Sequence, residues 1–125
     1  MFKTNRDLGL LLLRVGISGM MLVHGIPKIS KLFVSPIEFA DPLGIGVLLS
    51  LILTIIGEVV APTFIMVGYK TKLAAIPATI TMLVAAFIVH GQDDFYTKEK
   101  ALLYGLGFLV ITIAGSGKYA IDKNS

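Results

Sequence analysis

The chain has 125 residues, of which 55% are hydrophobic and only 15% charged, and its formal net charge is +3. Soluble domains usually carry about 25% charged residues, so this chain has too little polar surface for a soluble globule of its size. It has no cysteine, which excludes disulfides, thiol relays and thiolate-held metal clusters within the chain itself. The long apolar runs instead predict one domain, residues 1–125, folded as an all-α, polytopic four-helix bundle in a membrane.

The first predicted span covers residues 8–26, close to the minimum length that crosses hydrocarbon. Basic residues precede it, as they do in a signal peptide. The apolar run is too long for a signal peptide and contains Arg14, so we interpret it as an uncleaved span. Pro27 is expected to end or kink the helix. Residues 27–42 mix aromatic and charged side chains, which predicts a segment lying at the membrane surface.

Three further spans follow. Asp41 and Pro42 predict the start of the second helix, as its N-cap and its first helical residue. The second span covers residues 43–68 and the third covers residues 73–90, and the short turn between them predicts antiparallel neighbours. The fourth span, residues 101–115, is short unless its helix begins in the preceding polar loop.

The distribution of Lys and Arg residues indicates the orientation of the chain. Six lie on the side of the N-terminus and four on the opposite side, which favours both termini in the cytoplasm. The first group is Lys3, Arg6, Lys70, Lys72, Lys118 and Lys123, and the second is Lys28, Lys31, Lys98 and Lys100. Lysines at the ends of apolar runs suit lipid headgroups rather than nucleic acid.

Four ionisable residues lie within or at the ends of the spans, and all are candidate ligand-binding residues because such groups usually face a bundle interior. They are Arg14, His24, Glu58 and His90. Glu58 is the strongest candidate, since Pro62 removes the helical partner of its carbonyl and predicts a kink beside a carboxyl group. Counted from the predicted span ends, Arg14 and Glu58 differ in depth by about four residues, roughly 6 Å. Two interpretations remain open, a purely structural ion pair and a pair that also lines a ligand site.

The two histidines are predicted at one level of the bundle, with His24 beside the second candidate kink at Pro27. Imidazole titrates near neutrality, so His24 and His90 are candidates to bind a quinone carbonyl or to relay a proton. The alternative is that each is an ordinary interfacial residue bonded to a nearby carbonyl. No third residue with metal-ligand spacing accompanies them, so no metal is predicted. No nucleophile–base set is present either, which leaves catalytic residues unknown.

Six groups of residues form a recognisable set: Leu11–Arg14, His24–Lys28, Gly57–Glu58, Gly68–Ala75, Met82–Phe87 with His90, and Gly115–Tyr119 with Asp122. Together they resemble the DoxX family of small bacterial membrane proteins. The resemblance implies a four-span bundle in the bacterial inner membrane. It also implies a link to redox chemistry, since some relatives are membrane subunits of thiosulfate:quinone oxidoreductases and others look like anchors for redox-defence proteins. Lys72 and Ala120 depart from the family pattern, where Arg and Ser often stand.

Our leading hypothesis is a membrane subunit that binds a hydrophobic small molecule, with a quinone as the candidate cofactor. Arg14 and Glu58 would lie beneath the site, with His24 and His90 near its mouth, and catalysis would depend on a partner within a redox complex. The first alternative is a scaffold that anchors soluble redox-defence proteins and has no ligand chemistry. The second is a small transporter or channel, which four spans form only as a homo-oligomer.

Overall fold

The computed structural model describes residues 5–34, 36–37, 39 and 41–121. Three residues used above, Lys3, Asp122 and Lys123, lie outside this part of the chain. The described residues form four helical segments and no strand, which confirms the all-α class. The segments are α1 (Arg6–Ile29, continued by a 3₁₀ turn at Ser30–Phe33), α2 (Val47–Ile55, a π turn at Ile56–Val60, then Ala61–Val67), α3 (Thr71–Val84 with a π turn at Ala85–Val89) and α4 (Phe95–Ala114).

Three of these helices are long and apolar enough to cross a membrane. They are α1 with its 3₁₀ turn, α2 and α3, with 28, 21 and 19 residues. The fourth helix is 20 residues long and begins at Phe95, inside the predicted loop. Its first turns carry Lys98, Glu99 and Lys100, so its apolar part alone is shorter than a usual span.

Helix α1 runs further than the sequence predicts. Asn5 caps its start by accepting the Leu8 N–H at 3.0 Å. The predicted end at residue 26 is wrong, because the helix continues through Pro27 to Ile29. Proline removes one hydrogen bond without preventing the following residues from remaining helical, so one further turn extends toward the connector between α1 and α2.

The predicted start of α2 is also wrong. The helix begins at Val47 rather than near Pro42, because Gly44 and Gly46 adopt positive φ angles of 68° and 106° and turn the chain before it becomes helical. The Asp41 carboxylate acts from outside the helix instead, accepting the N–H groups of Ile45 and Gly46 at 3.0 Å each. It also accepts the Ser50 hydroxyl at 2.9 Å.

A tight turn at Gly68 joins α2 to α3 and makes them antiparallel, as predicted. Gly68 has φ 79°, a left-handed conformation that suits glycine. The Tyr69 N–H reaches back to the Phe64 carbonyl at 2.9 Å, while the Gly68 N–H bonds to the Ile65 carbonyl at 3.1 Å. The Phe64 and Tyr69 rings meet edge to face at 5.8 Å. This pairing of hydrogen bonds with an apolar contact is the Schellman ending of a helix.

Small residues let the helices approach closely. A Cβ added at Gly57 of α2 would lie 1.9 Å from the Thr81 hydroxyl of α3, so the two backbones are nearly in contact there. Alanines repeat along the buried face of α3, as expected for membrane helices that associate through small side chains. The buried core consists of Ile17, Met21, Ala61, Ile65, Ala74, Ala75, Ala78, Met82, Phe108 and Ile111.

Candidate ligand-binding site

An ion pair between Lys28 and Glu58 joins α1 to the π turn of α2. The Lys28 Nζ lies 2.7 Å from Glu58 Oε1 and 2.9 Å from Oε2. The Glu58 side chain is 6% exposed and that of Lys28 is 29% exposed. The carboxylate is therefore nearly enclosed, while the lysine reaches it along its aliphatic stem from the helix end.

The local backbone explains why the pair forms at this point. Glu58 belongs to the π turn Ile56–Val60, and Pro62 follows in the first turn of the next α-helical segment. Such turns occur where an α-helical hydrogen bond is lost, and a proline loses one. Gly25 lets α1 press against this turn, because a Cβ there would lie 2.5 Å from the Glu58 carbonyl oxygen. Gly25 and Lys28 are three residues apart and share that face of α1.

Both residues of the pair line a cavity of about 340 Å³ between α2, α3 and the connector. This volume is at the lower end of the range for small-molecule sites. Apart from the pair, its polar side chains are Ser50, Thr54, Thr81 and His90. The apolar lining is Phe39, Pro42, Leu43, Ile45, Leu53, Ile56, Pro77, Ile80, Val84, Ala85 and Val89.

His90 lines this cavity at the end of α3. Its Nδ1 lies 2.9 Å from Asp93 Oδ2, and its side chain is 38% exposed. The aspartate orients the imidazole, and the partial exposure gives the ring contact with the surroundings of the bundle. His90 is thus a partly exposed side chain that lines the cavity and is held by Asp93.

His24 lies elsewhere. It is exposed on α1, is absent from the cavity lining, and its ring meets that of Tyr104 on α4 edge to face, with centroids 5.9 Å apart. The sequence predicts both histidines at one level near one mouth. The structure places His24 on the α4 side of α1 and His90 on the cavity between α2 and α3.

Arg14 is also remote from the cavity, and the hypothesis of an Arg14–Glu58 pair is wrong. The guanidinium is fully buried and donates to the carbonyls of Ile65 at 3.2 Å, Met66 at 3.4 Å and Tyr119. The backbone of α1 comes closest to Glu58 at Gly25, eleven positions after Arg14, which is roughly 16 Å of helix. The error came from aligning the helices by their predicted ends, whereas α1 begins well beyond the end of α2.

Lys28 lines the cavity and pairs with Glu58, and it is not among the candidate site residues predicted from the sequence. The sequence assigns Lys28 to the basic residues outside the membrane, because Pro27 is expected to end or kink the helix. A helix continued through Pro27 places Lys28 one turn after Gly25, on the face that packs against Glu58. The sequence does contain an indication of this contact. Gly25 permits close approach to a neighbouring helix, and Lys28 lies three residues later on the same face, where it can pair with an acid such as Glu58.

Comparison with known proteins finds a family match and a similar sequence. The model of the DoxX family matches residues 9–91, a range that includes the Lys28–Glu58 pair and His90. The chain is also 30% identical over 119 residues to a protein from Haemophilus influenzae described as uncharacterized, covering 89% of this chain and 86% of that protein. No solved structure matches the chain.

Proposed function

We propose that this chain, which belongs to the DoxX family, binds a small hydrophobic molecule in the cavity between α2 and α3. The ligand class that the site suits best is a quinone, and the chain would serve as a membrane subunit of a redox complex. The observation that carries the proposal is a largely apolar cavity whose lining includes the Lys28–Glu58 ion pair.

The chemistry of the lining supports a ligand with an apolar body and a polar ring. Apolar walls favour a flat hydrophobic ring by removing its surface from water or lipid headgroups. The Lys28 ammonium has three donors, of which two face the carboxylate oxygens, so a ligand carbonyl can accept the third. Thr54 lies one turn before Glu58 on the same face of α2, and both line the cavity.

The size of the cavity supports the same class. A volume of about 340 Å³ accommodates a substituted ring but not a long isoprenoid chain as well. The chain of a quinone would therefore leave the cavity between the apolar side chains that α2 and α3 expose to lipid. His90, hydrogen-bonded to Asp93, would connect the ring site with the exterior for proton exchange.

The proposal places the protein in the bacterial inner membrane with four crossings and both termini in the cytoplasm. The chain has no cysteine and therefore no thiol relay of its own. A partner protein would deliver or accept the electrons.

Because the chain has no cysteine, single introduced cysteines give a direct test of topology with impermeant thiol reagents. Positions 31 and 93 should label from one side of the membrane, and positions 70 and 118 from the other.

Ligand binding is tested by native mass spectrometry of the full chain in mild detergent, first as extracted and then titrated with a short-tailed benzoquinone. We expect a bound quinone mass and saturable uptake of the benzoquinone. Glu58→Gln and Val84→Phe should each weaken uptake of the benzoquinone. The first removes the charge of the ion pair in the cavity lining, and the second fills part of the apolar space of the cavity. His24→Ala is the matched control, because His24 lies outside the cavity.

The same spectra decide between the hypotheses. Uptake that Glu58→Gln and Val84→Phe leave unchanged would reject the cavity as the site. A stoichiometric protein partner without any small molecule would favour a scaffold that anchors soluble redox-defence proteins. A homo-oligomer alone would favour transport or a structural role.

A further inference from the structure

A second apolar groove lies on the opposite side of α1, between α1 and α4. Its volume is about 580 Å³, and it is more open than the cavity between α2 and α3. Its lining is Leu12, Leu13, Gly16, Ile17, Met20, Lys100, Leu103, Tyr104, Leu106, Gly107 and Val110. We propose that this groove binds one acyl chain of an anionic phospholipid, with the phosphate of the headgroup on Lys100.

Two glycines determine the shape of the groove. A Cβ added at Gly107 of α4 would lie 2.1 Å from Ile17 Cδ1 of α1, so the two helices are in contact there, and both residues line the groove. A Cβ added at Gly16 would meet nothing within 4 Å. The groove therefore has room for a larger side chain at Gly16, whereas the Ile17 side chain occupies the space beside Gly107.

The groove has the length and the chemistry of a lipid chain site. Along α4 it extends from Lys100 to Val110, roughly 15 Å of helix rise. Its side chains are apolar over this whole length except at the Lys100 end. A single acyl chain lying along the two helices would cover the exposed apolar side chains on both walls.

The charged end determines which lipid fits. Lys100 is exposed and, within the described part of the chain, forms no ion pair. Tyr104 lies one turn further on the same face of α4 and packs against His24. The end of the groove thus has a free ammonium group next to an aromatic ring and an imidazole, which complements a phosphate at the membrane surface.

The test uses delipidated full-length protein in mild detergent, titrated with phosphatidylglycerol or with phosphatidylcholine of the same acyl chains and followed by native mass spectrometry. We expect tighter retention of phosphatidylglycerol, by about fivefold for one basic contact. Lys100→Gln should remove this preference, while Lys72→Gln, an exposed lysine away from the groove, should leave it unchanged.

The chain itself provides a steric block with a matched control. Gly16→Leu should lower retention of both lipids because its side chain enters the groove. Gly9→Leu should not, since Gly9 has equal open space around it but does not line the groove. Equal retention of the two lipids by the unmodified protein and by Lys100→Gln would overturn the proposal. A dimer that Gly16→Leu dissociates, without bound lipid, would also overturn it and assign the groove to a second copy.

Discussion

The ammonium of Lys28 lies within 2.9 Å of both carboxylate oxygens of Glu58, and this contact fixes the end of α1 to the π turn of α2. The two residues differ in exposure, since Glu58 is nearly enclosed and Lys28 remains partly exposed. Removing one partner therefore has different consequences from removing the other, and this difference leads to the first prediction.

Lys28→Met should destabilise the protein more than Glu58→Gln does. The lysine substitution leaves a buried carboxylate without its partner, at a cost of about 3 kcal/mol or more. The glutamine substitution leaves an amide that still accepts from Lys28, and the lysine can turn toward the exterior. Thermal unfolding in detergent, monitored by circular dichroism, measures the stability of each variant. The double variant Lys28→Met with Glu58→Met should recover most of the loss, and a double variant as unstable as Lys28→Met would show that the pair is not the cause.

Arg14 forms a second polar contact at the other end of the bundle, and we expect it to hold the C-terminal segment. Its guanidinium bonds two carbonyls at the end of α2 and the Tyr119 carbonyl, and the Ile121 N–H bonds the Val67 carbonyl at 3.1 Å. The Ile65, Met66 and Val67 carbonyls are among those that a helix leaves free at its end. Arg14→Lys places one ammonium where a planar group reached three acceptors, so we expect a loss of about 2 kcal/mol.

Trypsin cleavage after Lys118 gives a local measurement of the same contact. In Arg14→Lys the segment should detach and be cleaved faster than in the unmodified protein, at a temperature where the helices remain folded. Arg6→Lys is the control, because Arg6 is exposed at the start of the same helix. Equal cleavage rates in all three proteins would show that Arg14 does not hold the segment.

The sequence predicts the fold class and the candidate residues better than it predicts their contacts. Apolar runs identify α1, α2 and α3, and rare ionisable residues within them identify Glu58 and His90, both of which line the cavity. Which side chains meet depends on how far each helix is shifted along its axis relative to its neighbours, and composition does not determine this shift. One extra turn after Pro27 brings Lys28 to Glu58.

The start of α2 illustrates the same limitation at a helix end. Asp41 followed by Pro42 has the pattern of an N-cap, and Asp41 does accept backbone N–H groups. Those groups belong to Ile45 and Gly46 rather than to a helix starting at Pro42, because the two positive φ angles at Gly44 and Gly46 delay the helix. Glycine permits such angles without requiring them, so the sequence alone does not indicate which start is used.

The close approach of α2 and α3 leads to a prediction about packing. Gly57→Ala should cost about 1–3 kcal/mol, because its Cβ would lie 1.9 Å from the Thr81 hydroxyl oxygen and 2.7 Å from the Thr81 Cβ. Thr81→Ala in the same chain should restore only part of the loss, since it removes the hydroxyl and leaves the Cβ. Gly9→Ala is the control, and with open space around it it should be neutral or stabilising. Equal unfolding temperatures for Gly57→Ala and Gly9→Ala would contradict the close contact.

The stability of the connector near Asp41 is expected to depend on pH, because the Asp41 carboxylate accepts several hydrogen bonds there. The hydrogen bond from Ser50, together with those from the Gly46, Ile45 and Gly44 N–H groups, lowers the pKa of the Asp41 carboxyl below its ordinary value despite partial desolvation. A lowered pKa in the folded state means that the ionised form is the one stabilised. The stabilisation is therefore complete above the ordinary pKa of about 3.9 and is lost as the pH falls through the lower, folded-state pKa.

Amide hydrogen exchange of Ile45 and Gly46 measures this directly, after correction for the intrinsic pH dependence of exchange. Protection should be constant between about pH 5 and pH 7 and should fall below about pH 4. Asp41→Asn should have weaker protection throughout and no such fall, because an amide has only one acceptor oxygen and does not ionise in this range. Ser50→Ala should shift the fall in protection to higher pH, since Ser50 contributes the largest lowering of the Asp41 pKa. A loss of protection at the same pH in Asp41→Asn would assign it to another carboxyl group and reject Asp41 as the group that protects the Ile45 and Gly46 amides.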